Sequence, residues 1–223
     1  MTAPVGTALR LYGWVARGLG LIAPHLLRRR LRRGKEDPLR WREKLAEPSA
    51  ARPEGTLVWL HAVGLGEVMA LRGLILALAA QRPDLRFLVT STARSSAEVV
   101  AANLPPRTVH QFLPLDAPRL VRRFLDYWRP ALSVWSEQDL WPNFVREAHA
   151  RGIPLALVNA RMNDTAGRAR ARAGQLYANL YARFALIAAQ DDGSARALAA
   201  LGAPEPVLRH ASLKRVAPPL AAD

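Results

Sequence analysis

Thr56-Leu57-Val58-Trp59-Leu60-His61-Ala62-Val63 runs directly into Gly64-Leu65-Gly66-Glu67 and then into helix-forming residues as far as Gln81. An apolar run rich in β-branched and aromatic types, bounded by glycine, reads as a buried strand. The glycine pair permits a tight turn and close backbone approach to a ligand, and Glu67 opens the helix that follows. Outward from this unit the same alternation repeats. Further strand-like runs fall at 86–92, 108–115, 131–137, 154–159 and 185–190. Helix-like stretches fall at 67–81, 95–103, 118–128, 142–151, 166–183 and 192–201. Alternating β and α units with continuously apolar strands predict an α/β fold, a parallel sheet covered by helices on both faces. Ligands of such sheets bind beyond the carboxyl ends of the strands, so function is sought immediately after each strand.

Composition narrows the chemistry. The 223 residues are 50% hydrophobic and contain no cysteine, which excludes thiol catalysis, cysteine-ligated zinc and iron–sulfur clusters, and a disulfide-stapled scaffold. The excess of 32 Lys+Arg over 18 Asp+Glu, a net +14, predicts attraction to polyanions. Residues 1–50 hold 11 Lys/Arg and 4 Asp/Glu, a net +7, so half of the excess sits in under a quarter of the chain. It follows an apolar stretch, 9–27, that ends in Arg28-Arg29-Arg30-Leu31-Arg32-Arg33. On a helix, Arg10, Gly13, Arg17, Gly20 and Pro24 fall on one thin stripe, with Leu11, Trp14, Val15, Leu19 and Ile22 over the rest. That pattern reads as an interfacial membrane anchor. A tilted span and a helix docked on the domain are the competing readings. Positive charge behind the apolar part argues against a cleaved signal peptide and, at a membrane, places the body on the cytoplasmic side.

The expected organisation is an anchor at 1–33, a linker at 34–55 marked by Pro38, Pro48 and Pro53, a sheet domain at 56–215, and a Pro-rich tail at 216–223. Strand ends supply the candidate site. After the first strand, Glu67 at a helix start is stabilised by the positive helix terminus and can accept a proton from a hydroxyl; favouring the helix start is its structural alternative. After the fourth, Glu137-Gln138-Asp139-Leu140-Trp141-Pro142-Asn143 places two acids before a helix that Pro142 begins. Either acid caps that helix or faces the cleft of Glu67. After the fifth, Asn163 and Asp164 are expected to cap a helix whose Arg168 and Arg172 share a face. The guanidinium cluster of Arg161, Arg168, Arg170 and Arg172 suits phosphate recognition, with a solvated helix face as the alternative. No metal-ligand spacing and no Gly-x-Ser-x-Gly elbow occurs, so neither a metal site nor a serine triad is expected.

His61-Ala62-Val63-Gly64-Leu65-Gly66-Glu67, Glu137-Gln138-Asp139-Leu140-Trp141-Pro142-Asn143, Asn159-Ala160-Arg161 and Ala211-Ser212-Leu213-Lys214 appear in order and at matching separations. With Lys35-Glu36-Asp37-Pro38 and the basic, apolar amino terminus, they resemble the amino-terminal half of the Kdo transferases, which move 3-deoxy-D-manno-octulosonic acid in lipopolysaccharide synthesis. The resemblance implies a GT-B glycosyltransferase, two Rossmann-like domains facing across a cleft, with this chain as the acceptor-binding half preceded by a membrane-associating helix. It implies transfer from CMP-Kdo to a lipid A precursor, with inversion, no cofactor and no metal, at the cytoplasmic face of the inner membrane. By position Glu67 matches the general base, and Glu137 and Lys214 match residues that stabilise the transition state; Lys214 carries no inference otherwise. Gly64, Gly66, Arg161, Arg168 and Arg172 are the expected substrate contacts. CMP-Kdo would be held chiefly by a carboxy-terminal domain beyond Asp223. Where the family usually has Ser and Glu, this chain has Gly64 and Asp139. A noncatalytic membrane protein that binds lipid A precursor or a partner enzyme is the alternative function. Specific nucleic-acid binding is not expected, since the positive excess adjoins the anchor and no nucleic-acid module is present.

Overall fold

In a computed structural model of the chain, which describes residues 4–92, 94, 100, 103–137 and 139–213, the opening stretch becomes the central strand β1 (Thr56–His61). Its side chains alternate between two layers, as strand geometry requires. Leu57 and Trp59 enter one core, Val58 and Leu60 the other. Beside β1 lie β2 (Leu85–Ser91) and β3 (Thr108–Phe112) on one side. On the other lie β4 (Leu132–Ser136), β5 (Leu155–Ala160), β6 (Leu186–Ala189) and β7 (Leu208–Arg209). The order is β3-β2-β1-β4-β5-β6-β7, and every neighbouring pair is parallel. The chain therefore reverses its direction of growth between β1 and β4. A doubly wound sheet opens its ligand crevice at that switch point.

One layer is built on aromatic packing. The Trp59 ring lies 5.1 Å from Phe124, 5.3 Å from Trp135 and 5.5 Å from Phe144, all tilted or edge-on. Phe124 comes from α3 (Pro118–Trp128) and Phe144 from α4 (Pro142–Ala150). The other layer packs Val68, Leu71 and Ile75 of α2 (Leu65–Gln81) on Val58, Leu60, Val89 and Val134.

Two elements differ from the sequence expectation. The helix expected at 166–183 is two, α5 (Asp164–Arg172) and α6 (Gly174–Tyr181), because Ala173 leaves the helical region at φ −109°, ψ 33° just before a glycine. A two-residue strand, β7, follows α7 (Asp192–Ala200) and extends the sheet by one. The helix expected at 95–103 lies largely outside the described residues.

The amino-terminal helix α1 (Thr7–Arg32) is docked on the body. Leu9, Gly13, Ala16, Ala23 and Leu27 are buried, and Gly20 is half-buried beside them. Their 4-3-4-3-4 spacing makes one continuous stripe. A side chain at Gly13 would meet Arg146 and Asn143 of α4, and one at Gly20 would meet Ala117. The glycines expected on a thin polar stripe thus form the docking face, because small residues let two backbones approach. The far side exposes Trp14 at 68% and Leu21 at 81%, together with Leu11, Val15 and Ile22. Among the described residues no helix is long and apolar enough to cross a membrane.

Residues 34–55, expected to be a linker, hold a buried ion-paired brace. Glu36 accepts from Arg30 of α1 and from Lys44, each at 2.5 Å. Lys44 belongs to a 3-10 turn, Trp41–Leu45. Glu43 of that turn accepts from Arg40 at 2.7 Å, from the Phe112 amide of β3 at 2.6 Å, and from the Ser49 hydroxyl. The brace ties the basic end of α1 to the edge of the sheet.

Candidate active site

Glu67 is delivered by the β1–α2 corner. Gly64 takes the N-cap position with extended backbone, and the Glu67 carboxylate reaches back to accept from the Val63 amide at 3.1 Å. The Gly64 amide adds a longer contact of 3.5 Å to the same oxygen. The corner thus satisfies backbone donors of the helix start and holds the carboxylate in place. Gly64 has φ −89°, which any residue adopts, and nothing lies within 4 Å of where a side chain at Gly66 would begin. Turn geometry does not require either glycine; their effect is to leave the lip of the site open.

The β4–α4 corner delivers Glu137 and Asp139. Glu137 has φ +62°, the left-handed region that non-glycine residues enter at a cost of roughly 1–3 kcal/mol. Its amide donates to the Val158 carbonyl at 3.0 Å, which keeps the corner bound to β5. Asn159 at the end of β5 is also left-handed, at φ +56°. Its Oδ1 accepts from the Leu213 amide at 3.1 Å, and its Nδ2 lies 3.5 Å from Glu137 Oε1. Fully buried Asn159 therefore connects Glu137 to the segment that leads to Lys214. Lys214 itself lies outside the described residues.

These corners converge on an open cavity of about 300 Å³ lined by Val63, Glu67, Glu137, Asp139 and Arg170. It sits over the switch point between β1 and β4. Burial, and next the charge of Glu67, push the Asp139 carboxyl above its ordinary range, while Arg170 pulls it down. Arg170 comes from α5, whose start is capped by Asn163 accepting from the Ala166 amide at 2.8 Å, as the sequence predicts. Its guanidinium donates to Met162 Sδ at 3.3 Å and stands 5.3 Å from the centre of the Tyr177 ring.

Arg161, Arg168 and Arg172 are exposed and do not line this cavity. Residues 168 and 172 share an outer face of α5, and Arg170 lies nearly opposite on a 100° helical step. Gly167 of α5 approaches Met162. A small residue three positions before Arg170 is the sequence signal that could have marked the inward face. His61, first residue of the corner motif, is a core group: Nδ1 lies 2.9 Å from Thr90 Oγ1, and burial pushes the imidazole down to about 3. A buried carboxylate beneath the acidic corner also escaped the sequence reading. Asp116 accepts from the amides of Asn143 at 3.0 Å and Phe144 at 3.1 Å, and from the Tyr12 hydroxyl at 2.8 Å. It caps α4, a role expected of Glu137 or Asp139, and so leaves those two acids to the cavity.

A family model described as 3-Deoxy-D-manno-octulosonic-acid transferase (kdotransferase) matches residues 39–216, a span that contains every described residue of the cavity. The chain belongs to the Kdo transferase family. A probable mitochondrial 3-deoxy-D-manno-octulosonic acid transferase of Arabidopsis thaliana is 44% identical over 155 residues, 69% of this chain and 34% of that protein. The transferase of Rickettsia felis is 40% identical, covering 61% of this chain and 29% of that protein. That of Haemophilus influenzae is 34% identical, covering 74% and 40%. This Kdo transferase family chain thus spans about a third of the length of the curated relatives it matches. Among solved structures, the UDP-GlcNAc 2-epimerase of Neisseria meningitidis bound to UDP-GlcNAc aligns with TM-score 0.53 at 11% identity, over 71% of this chain and 47% of that one. A putative UDP-N-acetylglucosamine 2-epimerase of Listeria monocytogenes gives 0.52 at 12%, over 70% and 44%. At such identities the likeness is one of fold, a Rossmann-like α/β domain.

Proposed function

We propose that this chain forms the acceptor-binding half of a Kdo transferase, moving Kdo from CMP-Kdo to a hydroxyl of a lipid A precursor. The observation that carries this reading is the meeting of Glu67 and Glu137, distant in sequence, in one open cavity at the switch point of the sheet. In the proposed reaction the acceptor oxygen attacks the anomeric carbon, the bond from that carbon to the CMP phosphate oxygen breaks, and the hydroxyl proton passes to Glu67. Attack from the face opposite the leaving group inverts the anomeric centre. Glu67 has the properties of such a base: an anchored carboxylate on the rim of an accessible cavity. Glu137 and Lys214 would act on the charge that develops at the sugar, with Asn159 keeping their segments in register. No cofactor enters this scheme.

The helix α1 supports a further part of the proposal, attachment at the cytoplasmic face of the inner membrane. One side of α1 is occupied by the body; the other offers Leu11, Trp14, Val15, Leu21 and Ile22 beside Arg28, Arg29, Arg32 and Arg33. Apolar groups at acyl depth with guanidinium groups at headgroup level suit an anionic surface. Trp14→Glu combined with Leu21→Glu should release the chain from vesicles containing anionic lipid, because neither side chain supports the fold.

The test of function is a transfer assay with CMP-Kdo and a lipid A precursor in detergent. The chain is assayed alone and mixed with a separately expressed donor domain of the same family. Product only in the mixture supports the acceptor-half reading, whereas product from the chain alone would keep the transferase activity and overturn its description as a half. Acceptor binding without product in both would favour a noncatalytic lipid-binding protein.

A further inference from the structure

The cavity at the switch point poses an electrostatic problem for the proposed substrate. An ulosonic acid carries its carboxyl group on the anomeric carbon itself. The carboxylate therefore enters within one bond of the reacting atom, and so beside the base. The cavity wall facing it presents Glu67, Glu137 and Asp139. Three carboxylates repel a fourth unless a cation stands among them. Among the described residues lining the cavity, that cation is Arg170.

Resting on the transferase reading above, we propose that Arg170 binds the carboxylate of the transferred sugar acid and thereby selects an acidic sugar over a neutral one. Its seating supports the role. Met162 Sδ at 3.3 Å and the Tyr177 ring at 5.3 Å hold the guanidinium beside the cavity. The α5 start that sets its height is fixed by the Asn163 cap. Its field reaches the mouth of the site, where it opposes the upward pull on Asp139. A planar guanidinium can give a carboxylate two parallel hydrogen bonds, which a lysine ammonium cannot reproduce. The role separates Arg170 from Arg161, Arg168 and Arg172, which are exposed outside the cavity.

Binding by the full chain in solution tests this without requiring turnover. Arginine side-chain Nε–H resonances are followed by NMR in chain labelled with ¹⁵N-arginine, and the Arg170 signal is the one missing from Arg170→Lys. The probes are free 3-deoxy-octulosonic acid, its neutral methyl ester, and inorganic phosphate. A saturable shift of the Arg170 signal with the acid, absent with the ester and with phosphate, is the expected result. Glu67→Gln should retain it. Arg170→Gln should weaken the acid roughly tenfold or more, as loss of a charged hydrogen-bonding partner implies, with Arg170→Lys in between. An equal response to ester and acid, a response to phosphate alone, or no response to the acid overturns the proposal. Should Arg170→Gln fail to fold, the three-probe comparison on the unaltered chain decides by itself. Transfer by Arg170→Gln at the rate of the unaltered protein would remove this inference and leave the transferase reading standing.

Discussion

Two regions of this molecule concentrate acidic side chains, and they use them in opposite ways. In the amino-terminal brace, Glu36 and Glu43 are each 2% exposed and are surrounded by partners: Arg30 and Lys44 for one, Arg40, Ser49 and the Phe112 amide for the other. At the switch point, Glu67, Glu137 and Asp139 line an open cavity, and Glu67 is oriented by backbone amides. A carboxylate enclosed by fixed cations is committed to holding the chain together. One oriented by amides while facing solvent keeps the ability to meet a substrate. Glu36 and Glu67 are both anchored and differ in access, and access separates architecture from chemistry here.

Removing one acid from each region should break different properties. Glu67→Gln keeps the hydrogen-bond acceptor toward Val63 and deletes the proton acceptor. In the arrangement that supports transfer, turnover should fall by about 10²–10⁴-fold, the usual contribution of a positioned acid or base, with acceptor affinity nearly unchanged. Equal loss of both would make Glu67 a binding group. Glu36→Ala should leave Arg30 and Lys44 facing one another without their shared carboxylate. Breaking a buried pair from one side costs about 3–5 kcal/mol, so a denaturant midpoint well below that of the unaltered chain is expected. A stable Glu36→Ala variant would mean that the brace is dispensable, and the contrast with the cleft would fail.

A carboxylate between these two regions refines the comparison. Asp116 is buried like the brace acids and caps the helix behind the acidic corner, yet its partners are amides and a phenol. Burial pushes its carboxyl well above the ordinary carboxylate range, up to about 7, despite the downward pull of those donors and of Arg146. A carboxyl held above its unfolded value binds its proton more tightly in the native state. Its contribution to stability is therefore present at low pH and is lost as pH rises through about 4 to 7. The difference in stability between the unaltered chain and Asp116→Asn should change across that window, read from denaturant midpoints at successive pH values. A difference independent of pH would show that Asp116 does not titrate there.

Sheet and site were legible in the sequence to different depths. Strand periodicity is a local signal: β1, β3, β4 and β6 fall inside the expected runs, and β2 and β5 each pass their run by one residue, because the sheet buries these apolar segments. The corners at Glu67 and Glu137 were legible because strand–helix junctions announce themselves through glycine, proline and acids. What was hidden depends on partners far away in the chain. Glu43 belongs with the Phe112 amide, Asp116 with Tyr12, and Asn159 with Leu213. No local pattern ties Asp116 to a tyrosine more than a hundred residues earlier. The docking face of α1 was misread for a related reason. Gly13 and Gly20 appear polar by default on a helical wheel, whereas their small size is what seats them against Asn143, Arg146 and Ala117.

The smallest expected effect concerns the arginines of α5. Arg168 and Arg172 suggested an anion site because they share a face, but that face points to solvent. Exposed charges without a fixed partner contribute little, since water and salt screen them. Arg168→Ala and Arg172→Ala should each leave stability within about 0.5 kcal/mol, as surface substitutions generally do, and should change sugar-acid binding by less than about twofold. Salt should reduce what effect remains, because ions in solution screen a long-range field. A loss comparable to that of Arg170→Gln, persisting at high salt, would mean that a bound substrate reaches across the lip of the cavity to the outer face of α5. The acid-lined cavity would then be only the inner part of a longer groove, and the boundary drawn between Arg170 and its neighbours would move outward by one helix face.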